Sequence, residues 1–282
     1  MRTRKVQKKP ISLTTRGGLS LFFVGVGSAF SKRHYQTNLI VIKGKDHLMV
    51  DCGTRAPQAL FELGLSVSDI KCWLITHSHA DHIGGLEEVM LMSRYITKQK
   101  PTIIVSPIYQ NLLWDMSLRG GSAFNEDHAG QILTFSDMWN IIRPRWVAGY
   151  SRETLETEVG EINIKMFRTM HIPEQPDSWQ TSFWSSGLVL DNRVLFTSDT
   201  KYDPDLLLSY TDKFDIEMIF HDCQFFTGGV HAGLGELSEL PKEIKKRMVL
   251  THYGDNWEDH QAKVKSAGFV GLAKQWYYYD FG

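Results

Sequence analysis

Cysteine is scarce in this chain. Three thiols, Cys52, Cys72 and Cys223, stand far apart in 282 residues, and an odd, widely spaced set excludes a disulfide framework. Buried free thiols in a reducing, cytoplasmic compartment are the expectation. Long apolar runs are missing too. No stretch reaches the roughly 20 residues that a membrane-spanning helix needs. The apolar run from Leu19 to Phe23 is flanked by glycines and lacks the shape of a secretory signal, so no membrane role is expected. Charge of one sign is not in excess. The 31 Lys and Arg against 32 Asp and Glu leave a net charge of −1, which removes any global electrostatic case for nucleic-acid binding. Repeats and low-complexity tracts are absent, which argues against solenoid and linker architectures.

What is present is an ordinary globular composition, 42% hydrophobic and 22% charged, in a chain long enough for a full core. Residues 1–16 carry Arg2, Arg4, Lys5, Lys8 and Lys9 and read as a basic flexible tail. Residues 17–282 read as one α/β domain. Within it, about 122–158 is irregular and holds Trp139, Trp146 and Tyr150. This stretch reads as an aromatic-rich insertion that caps the site, meets a partner chain or fills a local core.

The densest chemistry lies in Thr76-His77-Ser78-His79-Ala80-Asp81-His82. Three imidazoles and a carboxylate at this spacing suit neither a helix nor a strand interior. They suit a tight turn that grips two cations. The apolar run from Cys72 to Ile75 predicts a strand before the turn, and Gly84 to Met92 predicts a helix after it. Ligand-type residues recur after other apolar runs. His171 follows 162–167, Asp199 follows 193–197, Asp222 follows 218–220, and His252 follows 248–251. Strand ends on one edge of a sheet converge in space, which lets these residues meet.

The H-x-H-x-D-H run, with His171, Asp199 and His252, resembles the metallo-β-lactamase superfamily of metallohydrolases from about residue 19 to the end. The resemblance implies a four-layered αββα sandwich with a dinuclear site on its edge. It implies that one cation takes His77, His79 and His171, that the other takes Asp81, His82 and His252, and that Asp199 bridges them. Two divalent cations are therefore expected, zinc first, with manganese or iron as alternatives. Within the superfamily, the Phe23–Phe30 segment with its Gly25-Val26-Gly27 turn, together with Asp51-Cys52-Gly53, is similar to the branch of tRNA 3′-endonucleases and cyclic-nucleotide phosphodiesterases. His221-Asp222 and His231 stand where that branch places a carboxylate–histidine pair, although the endonucleases usually carry Glu there.

No long Gly/Pro-rich arm for tRNA is visible, and Tyr-Gly-Asp follows His252. Both departures favour a small cyclic nucleotide over RNA, and anti-Pycsar proteins of phages are similar in size and build. The resemblance thus implies a phosphodiesterase in which Asp81 also orients the nucleophile, and His231, held by Asp222, protonates the leaving oxygen. A tRNA 3′-end endonuclease, and a lactone or thioester hydrolase of the same fold, are the alternatives. Homodimers are typical of similar enzymes. Lys32, Arg33 and His34, after the glycine turn, are further candidates to reach a phosphate or base.

Overall fold

The structure, a computed structural model, describes residues 1–124 and 131–282. The chain lays down one sheet, then a second, and returns to the first. The first sheet receives β1 (Arg2–Lys5), β2 (Leu19–Gly25), β3 (Asn38–Lys43), β4 (Asp46–Val50), β5 (Cys72–Leu74), β6 (Thr102–Ile104) and β7 (Asn140–Ile142). The second receives β8 (Arg145–Trp146), β9 (Thr154–Val159), β10 (Ile162–Arg168), β11 (Ser186–Leu190), β12 (Val194–Phe196), β13 (Met218–Asp222), β14 (Met248–Thr251) and β15 (Gly271–Leu272). β16 (Tyr277–Phe281) goes back to pair with β2. The spatial orders are β1-β16-β2-β3-β4-β5-β6-β7 and β15-β14-β13-β12-β11-β10-β9-β8.

Successive residues of the long strands face different cores, as the two-residue period of a strand requires. Leu21, Phe23, Leu39 and Val41 point between the sheets and meet Ile164, Leu188, Phe196 and Phe220. Their neighbours Phe22, Ile40, Ile42 and Trp73 point outward onto Leu60, Leu86, Val89 and Leu113 of the helices that cover the first sheet. Val189, Leu195, Ile219 and Leu250 do the same on the second sheet, against Leu206, Tyr210, Leu237 and Val264. Both faces of each sheet are covered, so the central strands read as unbroken apolar runs. The result is the expected αββα sandwich. At the β11–β12 hairpin, Asp191 and Asn192 both take positive φ, 52° and 57°. This is the left-handed backbone form that tight turns require and that Asp and Asn tolerate.

One expectation needs correction. Residues 1–16 are not a free tail throughout, because β1 pairs antiparallel with β16, from Arg2 against Asp280 to Lys5 against Tyr277. Two of the basic residues, Arg4 and Lys9, have side-chain partners at the far end of the chain. Arg4 bonds Asp280 at 2.7 Å, and its guanidinium lies 3.6 Å from the centre of the Tyr278 ring. The stretch 122–158 contributes to both sheets. It supplies the edge strand of the first sheet, the crossover, and β8 and β9 of the second. Trp139 is buried beside Phe135 in the core of the first sheet, and Tyr150 stacks on Tyr210 behind the second. Residues 125–130 of that stretch lie outside the described residues. Among the described residues, no helix is long and apolar enough to cross a membrane.

Candidate metal centre

β12, β13 and β14 run parallel, and β4 runs parallel to β5. β10 lies two antiparallel steps from β12 and therefore points the same way. The strands thus end on a common edge, and the ligand-type residues come together there. His77, His79, His171 and Asp199 place one ligand atom each within 4.8 Å of one another, as do Asp81, His82, Asp199 and His252. Asp199 belongs to both groups. Its Oδ2 lies 3.3 Å from His82 Nε2, 3.4 Å from His252 Nε2, 3.7 Å from His77 Nε2 and 3.8 Å from His171 Nε2.

The backbone is bent to achieve this. Asp51, Ser198 and His252 all have positive φ, 64°, 52° and 59°, a conformation that costs an L-residue free energy and concentrates at functional sites. Gly53 is needed beside them, because a Cβ there would sit 2.1 Å from the Asp81 carbonyl oxygen.

The imidazoles are oriented from behind. Asp51 Oδ2 accepts from His82 Nδ1 at 2.7 Å and from the Thr76 hydroxyl at 2.8 Å, and Asp51 Oδ1 accepts from Thr76 N at 2.7 Å. Thr76 Oγ1 lies 3.1 Å from His77 Nδ1, and the Val230 carbonyl lies 2.9 Å from His171 Nδ1. Each contact engages Nδ1 and turns Nε2 toward the centre. Phe183 stacks on His79, with ring centres 5.6 Å apart, and walls that side. Sequence reasoning placed Asp51 only in a turn and missed the parts of Thr76, Val230 and Phe183. The sole signal was a carboxylate at a strand end, in Val50-Asp51.

The donor set fits cations. Asp81 Oδ2, His82 Nε2 and His252 Nε2 are buried without a hydrogen-bond partner, which an interior tolerates poorly unless something else binds them. His77 Nε2 and His171 Nε2 stand 3.0 and 3.2 Å from His79 Nδ1. Burial drives the His77 imidazole well below its ordinary pKa and that of His171 down to about 4, so both are neutral. Burial also opposes charge on His82, but Asp81, Asp199 and Asp51 outweigh it and push this imidazole well above its ordinary range. Buried carboxylates in excess of buried cations demand positive charge. The His and Asp groups suit divalent metal binding.

A third group adjoins these two. Asp222 Oδ2 holds His231 Nδ1 at 2.7 Å and accepts from Thr200 N at 3.0 Å. The His231 ring lies 4.9 Å from the rings of both His171 and His252. Its side chain is 21% exposed, against 0–5% for His77, His82, His171, His252, Asp81 and Asp199. Burial lowers its pKa, but Asp222 and Asp199 outweigh burial and raise it to about 9. His221 stays apart, its Nδ1 on the Asp222 carbonyl oxygen at 2.7 Å. Arg33 and His34 have partners other than the ligand groups. Arg33 is paired with Glu258 at 2.8 Å, and His34 packs on Tyr253 and Trp257.

Known proteins share this architecture and much of the sequence. The metallo-β-lactamase-fold protein YhfI of Bacillus subtilis superposes with a TM-score of 0.67 at 15% identity, covering 94% of this chain and all of that one. The short form of human tRNase Z superposes with a TM-score of 0.59 at 17% identity, covering 92% and 98%. These likenesses establish the metallo-β-lactamase fold. By sequence, the chain is 36% identical to the anti-Pycsar protein Apyc1 of Bacillus phage BSP38 over 251 residues, 88% of this chain and 93% of that protein. It is 34% identical to the protein of the same description from Paenibacillus harenae, over 86% and 92%. Residues 19–279 match that family throughout, and the chain belongs to the anti-Pycsar protein Apyc1 family.

Proposed function

We propose that this protein is a metal-dependent phosphodiesterase that opens 3′,5′-cyclic mononucleotides, in the counter-defence role for which its family is named. The observation that carries the reading is the meeting of the two ligand groups on Asp199 beside a carboxylate-held imidazole. When bound, a pair of divalent cations supplies Lewis acidity toward a phosphoryl oxygen and brings the ionisation of water toward neutral pH. One cation is assigned to His77, His79 and His171, the other to Asp81, His82 and His252, with Asp199 shared.

The remaining residues divide the work. Asp51, Thr76 and Val230 hold the imidazoles with Nε2 toward the centre. Asp81, whose Oδ2 lies 3.2 Å from His82 Nε2 and 3.8 Å from His252 Nε2, faces the same space and orients the attacking water. His231 is the proton donor. The oxygen of the attacking water bonds to phosphorus and gives up a proton to solvent. The bond from phosphorus to the leaving oxygen breaks, and that oxygen takes the proton from the His231 imidazolium, which solvent then restores. Asp222 keeps the imidazole charged and aimed. A proton delivered to a departing alkoxide contributes typically about 10²–10⁴-fold.

The test is a substrate panel given to metal-loaded protein: purine and pyrimidine 3′,5′-cyclic mononucleotides, cyclic dinucleotides, a precursor tRNA with a 3′ trailer, and a lactone. The control is the His77→Ala/His79→Ala protein. Ligand-dependent opening of the cyclic mononucleotides is the expected result. Cleavage of the tRNA alone, or of the lactone alone, overturns it.

A further inference from the structure

We propose that Phe30 and Phe226 are the base-binding contacts of this site, stacking on the nucleobase while the phosphate lies at the metal ligands. This inference rests on the cyclic-nucleotide reading above. Both rings are exposed, Phe30 at 86% and Phe226 at 67%. Each sits on a loop that is fastened to the site.

The loop of Phe30 follows β2 and is stiff. The Asp255 carboxylate accepts from Ser31 Oγ at 2.5 Å, Lys32 N at 2.8 Å and Arg33 N at 3.0 Å. Ser28 N donates to the carbonyl of Tyr253, the residue after His252, at 3.1 Å. Gln36 Nε2 donates to the Ala29 carbonyl at 3.4 Å. The loop of Phe226 carries His231 and is closed by Gln224 N on the Ala232 carbonyl at 2.8 Å. The two loops meet on the buried Tyr253 ring, where His34 packs from one at 5.6 Å and Phe225 from the other at 6.2 Å. Phe225 is turned inward, stacked 4.3 Å from His260, while its neighbour Phe226 is turned to solvent.

An exposed ring on a braced loop forgoes the burial that aromatic side chains ordinarily gain. It is ready for a flat ligand, because the loop has already lost its freedom before binding. A cyclic mononucleotide supplies that ligand, since its base extends across the ribose away from the phosphate. Every base offers a π-face, and stacking reads ring area more than hydrogen-bond pattern. The rim therefore tolerates several bases, with preference set by ring size.

The experiment compares 3′,5′-cyclic nucleotides with the abasic ribose 3′,5′-cyclic phosphate, using wild type, Phe30→Ala, Phe226→Ala and Phe30→Trp. Each alanine variant should raise KM for the nucleotides about tenfold and leave kcat, metal content and the kinetics on the abasic ester unchanged. Phe30→Trp should restore KM. Unchanged KM in the alanine variants overturns the proposal, as does equal loss on the abasic ester. Conversion of a dimer to a monomer on sedimentation also overturns it, because the rings then belong to an interface. Wild-type protein that opens neither ester fails the phosphodiesterase reading, and the rim contacts fall with it. Wild-type opening with unaffected variants fails the rim contacts alone.

Discussion

At the scale of single residues, His231 differs from the other imidazoles of the centre in combining a carboxylate partner with exposure. Like His82 it is bound to a carboxylate, but unlike buried His82 it is partly exposed, and its ring lies beside both ligand groups. Replacing it with Gln should lower kcat about 10²–10⁴-fold and leave metal content at the wild-type level. Elemental analysis beside steady-state kinetics checks both, and lost metal would make it a ligand instead. Asp51 is the opposite case. It touches no candidate cation but fixes His82 and Thr76, so Asp51→Asn should weaken metal affinity by about 10–100-fold, read by competition with a chelating dye. The two residues also differ in how legible they were. His77 to His82 announce themselves because their spacing is local. Asp51 acts on partners 25 and 31 residues away, and Val230 acts through a carbonyl that every residue has. Neither leaves a mark on the sequence beyond an apolar run ending in Asp.

At the scale of elements, central strands were legible and edges were not. β2, β3, β10 and β14 are buried apolar runs with their ends near where the hydrophobic pattern stops. β1 is the polar run Arg-Thr-Arg-Lys, and β9 is Thr-Leu-Glu-Thr-Glu-Val. Their pairing depends on partners that no local pattern reveals. The first consequence is testable by truncation. Deleting residues 1–16 should lower Tm by several degrees, because β16 loses one of its two antiparallel partners and Tyr278 loses the Arg4 guanidinium. A free tail would leave Tm unchanged. The second concerns β9 and β10. Bonds from Lys165 and Asn163 hold the Glu156 carboxyl down to about 2. A carboxyl lowered on folding stabilises the folded state above its unfolded value of about 4.3. That contribution fades as pH falls from there through about 2. Glu156→Gln should therefore lower Tm by about 1–3 °C at pH 7, with the difference vanishing at low pH in calorimetry.

At the scale of the whole molecule, the sandwich brings residues from distant parts of the chain to one edge, and that edge suits divalent metal binding. Neutral imidazoles and ionised carboxylates bind a cation only when folded together, so metal and stability are linked. At a hundredfold excess over Kd, one ion stabilises by about 2.7 kcal/mol, so exhaustive chelation should lower Tm by roughly 5–10 °C and re-addition should restore it. The central claim is that a pair of cations on the Asp199 edge opens a cyclic phosphodiester. Its most direct test is a titration of metal-free protein with manganese or zinc, following a 3′,5′-cyclic mononucleotide by phosphorus NMR. The account predicts no opening without metal, and conversion of the cyclic diester signal to a monoester that saturates at two equivalents. Opening by metal-free protein, or an intact diester at full metal loading, would contradict it.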